Sequence, residues 1–351
     1  MPIEIVPFSA ELRSVVREFN GRLDAAGVEE GLRLPADPHA EMLPGSQSYL
    51  ALEDGVVRGG YTLRPQKFSF RGEIRCVAHY RLPVSEGIID KRFALVGALL
   101  LRDALQKEPL LYALGMGGYQ QPLPRMLQAA GWSLSPIPFY FRVVHPARFL
   151  RQIRAARGSR WRLLLMDLAA STGAGWLGLH AIQRLRTHTA AAAFSEVAEF
   201  GLWADELWEV VHRAYGMIGM RNAEELRQLY PQSNPRFLRI QTAAGWAVLV
   251  DTAMRGDQYF GDLRVGTIVD CLARPEDAAA VIRAARVYLE QRGVDLILSN
   301  QSHPAWMEAL RADGFFGGPS NFLLATSPAL RKLGVVDWHI NRGDGDGPVH
   351  L

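Results

Sequence analysis

Two groups of residues in this chain have the types and spacing that chemistry requires. In the first, Asp270 stands inside the apolar run Gly266-Thr267-Ile268-Val269-Asp270-Cys271-Leu272, and the polar run Ser299-Asn300-Gln301-Ser302-His303 follows the apolar segment Val294 to Leu298. A carboxylate within a central strand is costly unless it is paired. If the two strands are neighbours, Asp270 reaches Asn300 or His303. An Asp–His pair would fix the imidazole tautomer and raise its basicity, which suits a general base. A structural reading stands beside it, in which Asp270 pins the Asn300 loop and His303-Pro304 opens a helix. Asp270, Asn300 and His303 are together expected to bind substrate. The second group is Arg92-Phe93-Ala94-Leu95-Val96-Gly97-Ala98, with Lys91 and Gly87 just before it, at the start of a predicted helix. A helix N-terminus presents unpaired N–H groups and a positive dipole end, and a glycine lets phosphate approach the backbone. The alternative is an ordinary helix start with basic residues nearby.

The elements that must position these groups read as follows. Ile3–Phe8 is a predicted strand and Glu11–Ala26 a helix, with Leu12, Val15, Val16, Phe19 and Leu23 at helical spacing. Strands are predicted over 49–52 and 56–63, joined by Glu53-Asp54-Gly55, a hairpin signal. A strand (74–82), a helix (93–106), a strand (110–114), a helix (123–130) and an extended run (135–144) follow. The second half repeats the order: a helix over 200–215, strands over 236–241, 246–254 and 265–272, a helix over 276–291, a strand over 294–299, a helix over 304–312 and a strand over 321–325. Two helix ends match by eye, Gln128-Ala129-Ala130-Gly131-Trp132 and Leu310-Arg311-Ala312-Asp313-Gly314-Phe315. In each, glycine supplies a left-handed cap and the following aromatic enters the core. A repeat this long means duplicated domains.

Composition sets the class. With 351 residues, the chain is comfortable as two domains, and 48% hydrophobic with 21% charged residues is globular. A net charge of +3 is too small to imply nucleic acid, so no DNA partner is expected. The two cysteines, Cys76 and Cys271, lie in apolar runs and are expected to be buried free thiols. The N-terminus lacks a signal-peptide pattern, so a cytoplasmic location is expected.

This order of elements resembles the GNAT (acyl-CoA N-acyltransferase) fold, and the tandem resembles double-GNAT proteins and Fem-type peptidyl transferases. The resemblance implies an α/β (α+β) chain of two GNAT-like domains, each a mixed, mostly antiparallel sheet flanked by helices. They would cover 1–145 and 196–330, joined by a helical connector (146–195) and followed by a tail (331–351). It implies an N-acyltransferase, with acetyl-CoA or another acyl-CoA as substrate and a small-molecule or peptide amine acceptor bound between the domains. The family's pyrophosphate loop, Arg/Gln-x-x-Gly-x-Gly/Ala, falls on Arg92 to Gly97, so Lys91, Arg92 and Gly97 become cofactor-binding candidates. Leu95 stands where the pattern has its first glycine. The corresponding loop of the second domain, Arg274-Pro275-Glu276-Asp277, would repel phosphate, so the cofactor is expected in the first domain alone. Acyl transfer also needs a base and an acid. His79 and Glu86 are the candidate bases. Tyr119, after the flexible Gly115-Met116-Gly117-Gly118, is the candidate acid. Two rival readings are a catalytically inactive binding or scaffold protein and a Fem-type aminoacyl transferase linked to cell-envelope biosynthesis.

The connector carries Arg148, Arg151, Arg154, Arg157, Arg160 and Arg162, then an apolar stretch from Leu163 to Ile182 interrupted by Asp167 and His180. It reads either as a packed helical connector with its arginines outward or as a peripheral contact with an anionic membrane through 148–186. The tail run Gly343-Asp344-Gly345-Asp346 has a calcium-loop flavour but lacks the distant glutamate, so no metal is expected.

Overall fold

The computed structural model describes residues 3–37, 43, 45–146, 148–149, 193–257 and 260–345. The chain forms two compact units, neither of them contiguous in sequence. The first comprises Met1–Phe68, Glu73–Pro136 and Asn321–Val335; the second comprises Ser69–Gly72, Ile137–Ser320 and Val336–Leu351. This departs from the expected division at residue 145, because one strand from each half of the sequence belongs to the other unit. The connector's arginines beyond Arg148 and its apolar stretch lie outside the described residues.

The first unit contains β1 (Glu4–Pro7), α1 (Arg13–Ala25), β2 (Gln47–Glu53), β3 (Val56–Phe70), β4 (Glu73–Ser85), α2 (Val96–Lys107), β5 (Leu111–Leu114), α3 (Pro122–Ala129) and β6 (Ser133–Pro136). Its sheet runs β1-β2-β3-β4-β5-β15-β6, where β15 is Leu323–Thr326. Asp54 and Gly55 both have positive φ, the two-residue turn that matches the twist of the β2–β3 hairpin. One sheet face packs Tyr61, Ala78, Tyr80 and Leu111 against Val96, Leu100, Leu101 and Ala104 of α2, which recur at helical spacing. The other face packs Leu50, Val57 and Val84 against Val16, Phe19 and Leu23 of α1. Burial of side chains of this size stabilises by roughly 1.5–3 kcal/mol each. Cys76 corrects an expectation: it is exposed, as is Ile74 beside it, because the first residues of β4 run out beyond this packed region.

The second unit contains β7 (Phe139–Val143), β8 (Ser195–Glu196), α4 (Leu202–Val211), β9 (Met217–Gly219), α5 (Ala223–Leu229), β10 (Leu238–Gln241), β11 (Gly245–Ala253), β12 (Arg264–Ala273), α6 (Ala278–Gln291), β13 (Leu296–Asn300), α7 (Pro304–Ala312), β14 (Phe316–Gly318) and β16 (Trp338–His339). Its sheet runs β14-β7-β13-β12-β11-β10-β8. A short helix α8 (Pro328–Arg331) follows β15.

The two matched helix ends close alike. Gly131 and Gly314 both have φ of 81°. The Trp132 amide donates to the Leu127 carbonyl at 3.0 Å, and the Phe315 amide to that of Leu310 at 2.9 Å. This is the six-to-one bond of a glycine-capped helix, and both aromatics are buried.

Each sheet is mixed. The β4–β5 ladder is parallel, and so is β12–β13. Parallel strands bring the loops after their C-terminal ends to one edge of the sheet, and ligands of open α/β sheets gather at such edges. No described helix is long and apolar enough to cross a membrane.

Candidate functional site

In the first unit the parallel ladder is short. It pairs Ala78 with Leu111 and His79 with Tyr112, and there it ends. Strand β4 runs on to Ser85 and β5 to Leu114 without further β4–β5 pairs among the described residues. The two strands therefore part at His79 and Tyr112. His79 is buried at the apex of the opening, its ring stacked on Tyr112 with centroids 4.6 Å apart. Among the described residues its Nδ1 has no hydrogen-bond partner. Burial pushes the imidazole well below its usual value, and the positive charges of Arg81 and Arg64 push it further, so the ring is neutral. Tyr80, its neighbour on the strand, faces the opposite way into the core, as the alternation required.

Glu86 follows directly after β4 and is buried. Its Oε1 accepts from Arg22 Nε at 2.7 Å and its Oε2 from Arg58 Nη1 at 2.9 Å. Arg58 also pairs with Glu53 and stacks on Phe93, 4.2 Å from the ring centroid. Both Glu86 oxygens are occupied, so this carboxylate holds the turn in place. The two arginines that hold it were not foreseen; Arg58 on an alternating strand gave no distinguishing signal.

The turn leads into α2. Asp90 caps the short 3-10 turn Lys91–Phe93, accepting from the Arg92 amide at 3.0 Å, and its carboxylate also holds the Arg92 guanidinium at 2.6 Å. Lys91 and Arg92 are both exposed. Leu95 is the N-cap residue of α2 and offers no side-chain acceptor, so the helix starts without a side-chain cap from its N-cap residue. Its own side chain points outward and leaves the helix head uncovered. Gly97 faces inward: a Cβ there would stand 3.3 Å from Met126 Sδ and 3.7 Å from Ser85 Oγ. Gly59 of β3 is held more tightly, with a Cβ falling 2.6 Å from the Val84 carbonyl. A Gly-Gly pair inside a strand is the sequence signal of such a close approach. Tyr119 lies exposed in the loop after β5, on the same edge. The fold thus brings His79, Glu86, Lys91, Arg92, Gly97 and Tyr119 to one parallel pair and its two following loops.

The second unit has the same opening with different contents. Strands β12 and β13 pair in parallel from Val265/Leu296 to Ile268/Ser299 and then part. Residues 339–344 of the tail occupy the gap. His339 Nε2 donates to the Cys271 carbonyl at 2.9 Å, Gln301 bridges to Asn341, and the Ser302 amide donates to the Ile340 carbonyl at 3.1 Å. Asp270 is the centre of the network. It accepts from Arg221 Nε at 2.8 Å, Tyr230 Oη at 2.9 Å, Asn341 Nδ2 at 2.8 Å and the Cys271 amide at 2.8 Å. Arg221 also holds Asp344 at 2.9 Å, and all three charged groups are buried. Burial alone would lower the Arg221 pKa, but Asp270 and Asp344 outweigh it and the net shift is upward. Gly343 must be glycine here, since a Cβ would fall 2.3 Å from Tyr230 Oη.

The expected Asp270–His303 pair is therefore not formed. His303 Nδ1 instead accepts from the Ala305 amide at 3.3 Å and caps α7, which is the structural alternative for that residue. Asn300 Oδ1 accepts from Arg342 at 2.9 Å, so its loop is pinned by the tail and not by Asp270. Asp270, Asn300 and His303 are all buried. Among the described residues no group of three or more His, Cys, Asp or Glu side chains could hold a metal.

Two outcomes are expected. Replacing Arg221 with Leu leaves two buried carboxylates without their cation, so urea unfolding of the second unit, followed by tryptophan fluorescence, should lose about 3–5 kcal/mol. A loss below about 1 kcal/mol would remove the network from its structural role. The second outcome concerns pH. His79 has a folded pKa below the unfolded value of about 6.5, so the unfolded chain takes up its proton more readily. Its contribution is complete above about pH 6.5 and is lost as pH falls from there toward the folded pKa. His79→Phe, which keeps the stack on Tyr112, should flatten the fall in melting temperature between about pH 7.5 and pH 5. An unchanged slope would count against a neutral His79.

No protein-family model matches the sequence, and no curated protein is found as a relative. Solved structures do match. N-myristoyltransferase of Saccharomyces cerevisiae, with bound myristoyl-CoA and inhibitors, is similar over 93% of this chain and 80% of its own, with a TM-score of 0.51 and 11% identity. A conserved protein of unknown function from Enterococcus faecalis V583, described as a probable N-acyltransferase, matches over 95% of this chain and 74% of its own (TM-score 0.54, 13% identity). A GCN5-related N-acetyltransferase from Anabaena variabilis matches over 92% and 72% (TM-score 0.54, 10% identity). At these identities the likeness is one of fold: the chain has the GNAT fold.

Proposed function

We propose that the chain is two GNAT-like units in tandem and that the first is an acyl-CoA-dependent N-acyltransferase acting on a small-molecule or peptide amine. One observation carries this reading: β4 and β5 part beside a helix whose first amides have no side-chain cap. The opening would take a pantetheine arm, and the helix head with Lys91, Arg92 and Gly97 would hold the phosphates. The solved relatives with bound myristoyl-CoA support acyl-CoA as the donor class. His79, neutral and with Nδ1 unpartnered, would take the proton from the attacking amine. Tyr119 would return a proton to the leaving thiolate, and Glu86 would keep the turn in register through Arg22 and Arg58. The second unit would have no donor role. Its opening is filled by tail residues, and Glu276 and Asp277 head the turn before α6, where they repel phosphate.

Calorimetry with acetyl-CoA and a long-chain acyl-CoA tests this. Binding heat is expected with one site per chain, and Arg92→Ala should weaken it about tenfold, the loss of one hydrogen bond to a charged group. Once an acceptor amine is in hand, His79→Asn should lower kcat about 100-fold and KM little, as for removal of a general base. No heat with either donor at millimolar concentration would end the reading.

A further inference from the structure

The face of the first sheet that packs on α1 turns polar farther along its strands. Tyr61 and Leu63 of β3, Ala78 and Tyr80 of β4, and Leu111 and Ala113 of β5 belong to the core under α2. Side chains alternate along a strand, so Arg64, Gln66, His79, Arg81 and Tyr112 stand on the opposite face. The β3–β4 turn is Arg71-Gly72, both with positive φ, a two-residue hairpin turn. Pairing counted back from that turn sets Arg64 directly opposite His79. Opposed residues of an antiparallel pair have their Cβ atoms about 5 Å apart.

Contacts tie the group together. The Tyr112 hydroxyl meets the Gln66 amide, and the Tyr112 ring is the one stacked on His79. With its nitrogen turned to Tyr112, the Gln66 amide offers its oxygen to the Arg64 guanidinium at 2.7 Å. Arg64 and Tyr112 are buried like His79, and Arg81 is half-buried. Just beyond Arg81, Leu82 has φ of 43°, a left-handed backbone that leucine seldom adopts. The strand bends there, so Tyr80 and Val84 face opposite ways although four positions apart. The bend ends the regular alternation just after the second arginine.

We propose that the acceptor is a free α-amino acid, its carboxylate held by Arg64 and Arg81 while its amine faces His79. The proposal deepens the N-acyltransferase reading of this site and rests on it. An arginine fork matches a carboxylate in both geometry and charge. The span is short, because the guanidinium and the imidazole sit on opposed residues and are linked through Gln66 and Tyr112. An acceptor with its amine and its carboxylate on one carbon fits that span. A peptide N-terminus has an amide in that place and brings no charge for the arginines.

The carboxylate has a second effect. After burial itself, the charges that hold the imidazole down are those of Arg81 and Arg64. A bound carboxylate offsets them and makes His79 a stronger base when the right acceptor is present. The neutral amine nitrogen attacks the thioester carbonyl carbon, the C–N bond forms and the C–S bond breaks. The proton of the nitrogen passes to His79 Nδ1, and the leaving thiolate takes one from Tyr119. Return of the His79 proton to Tyr119 through solvent closes the cycle, leaving an N-acyl amino acid and a free thiol.

The test uses the full chain with acetyl-CoA and hexadecanoyl-CoA as donors. The acceptors are the common L-amino acids, each beside its own amide, and a set of short peptides, with products read by mass spectrometry. At least one free amino acid should be acylated, with kcat/KM about tenfold or more above that of its amide. Arg64→Lys and Arg81→Gln should each cut that acid-to-amide ratio about tenfold, mainly through KM. Arg81 is half-buried, so its variant carries the test even where the buried Arg64 variant loses its fold, which melting temperatures check. An amide acylated as fast as its acid, a ratio unchanged in the folded variants, or transfer to peptide N-termini alone would overturn the amino-acid acceptor and leave the acyltransferase reading intact. Binding heat with a donor, but transfer to no free amino acid, would do the same. No heat with either donor would sink both.

Discussion

When two neighbouring strands part inside a sheet, the backbone groups along the opening lose their ladder partners. Buried N–H and C=O groups must find others, and this requirement governs both units of the chain. In the second unit the chain supplies them from its own tail. His339 caps the Cys271 carbonyl, and the backbone around Gln301 and Ser302 pairs with Ile340 and Asn341. In the first unit the same kind of opening lies beyond His79 and Tyr112, and the N-cap residue of the helix beside it, Leu95, offers no side-chain cap. An opening already filled from within is a closed one.

The filled opening explains why so much charge is buried in the second unit. Arg221, Asp270 and Asp344 gain little net stability from one another once desolvation is counted. What they secure is register. Asp270 accepts four bonds from four different parts of the chain, and Asn341 and Asp344 cap each other's turn. The tail has one place to sit, and a shift by a residue would leave a carboxylate without a partner. The first unit uses its buried charge differently. Glu86 joins α1, β3 and the turn before α2 through Arg22 and Arg58, which sets where the helix head stands.

Local rules made much of the architecture legible in the sequence. Asp54-Gly55 and the twin endings Gly131-Trp132 and Gly314-Phe315 each need a backbone conformation that few residues allow, so composition alone identifies them. What the sequence could not convey was partnership across long separations. Asp270 was recognised as a charge in need of a partner, but its partners, Arg221, Tyr230 and Asn341, lie 49, 40 and 71 positions away, and nothing local selects them over His303. Cys76 reads as core from its neighbours, yet the strand outruns its covering layer. The extended run expected over 135–144 and the strand expected over 321–325 fall on β7 (Phe139–Val143) and β15 (Leu323–Thr326). A strand's residues specify that it pairs, and say little about which sheet it joins.

Those last two strands have a consequence for the integrity of the chain. β15 lies between β5 and β6 in the first sheet, and β7 lies between β14 and β13 in the second. Each is an interior strand supplied by the far half of the polypeptide. A ribosome that has finished the first 320 residues has made a sheet with a gap in its middle, and an isolated C-terminal half would show the mirror deficiency. Neither half is a self-sufficient building block, however well it aligns with the other. Because each sheet takes an interior strand from the far half of the chain, both are completed only when the whole chain has been made.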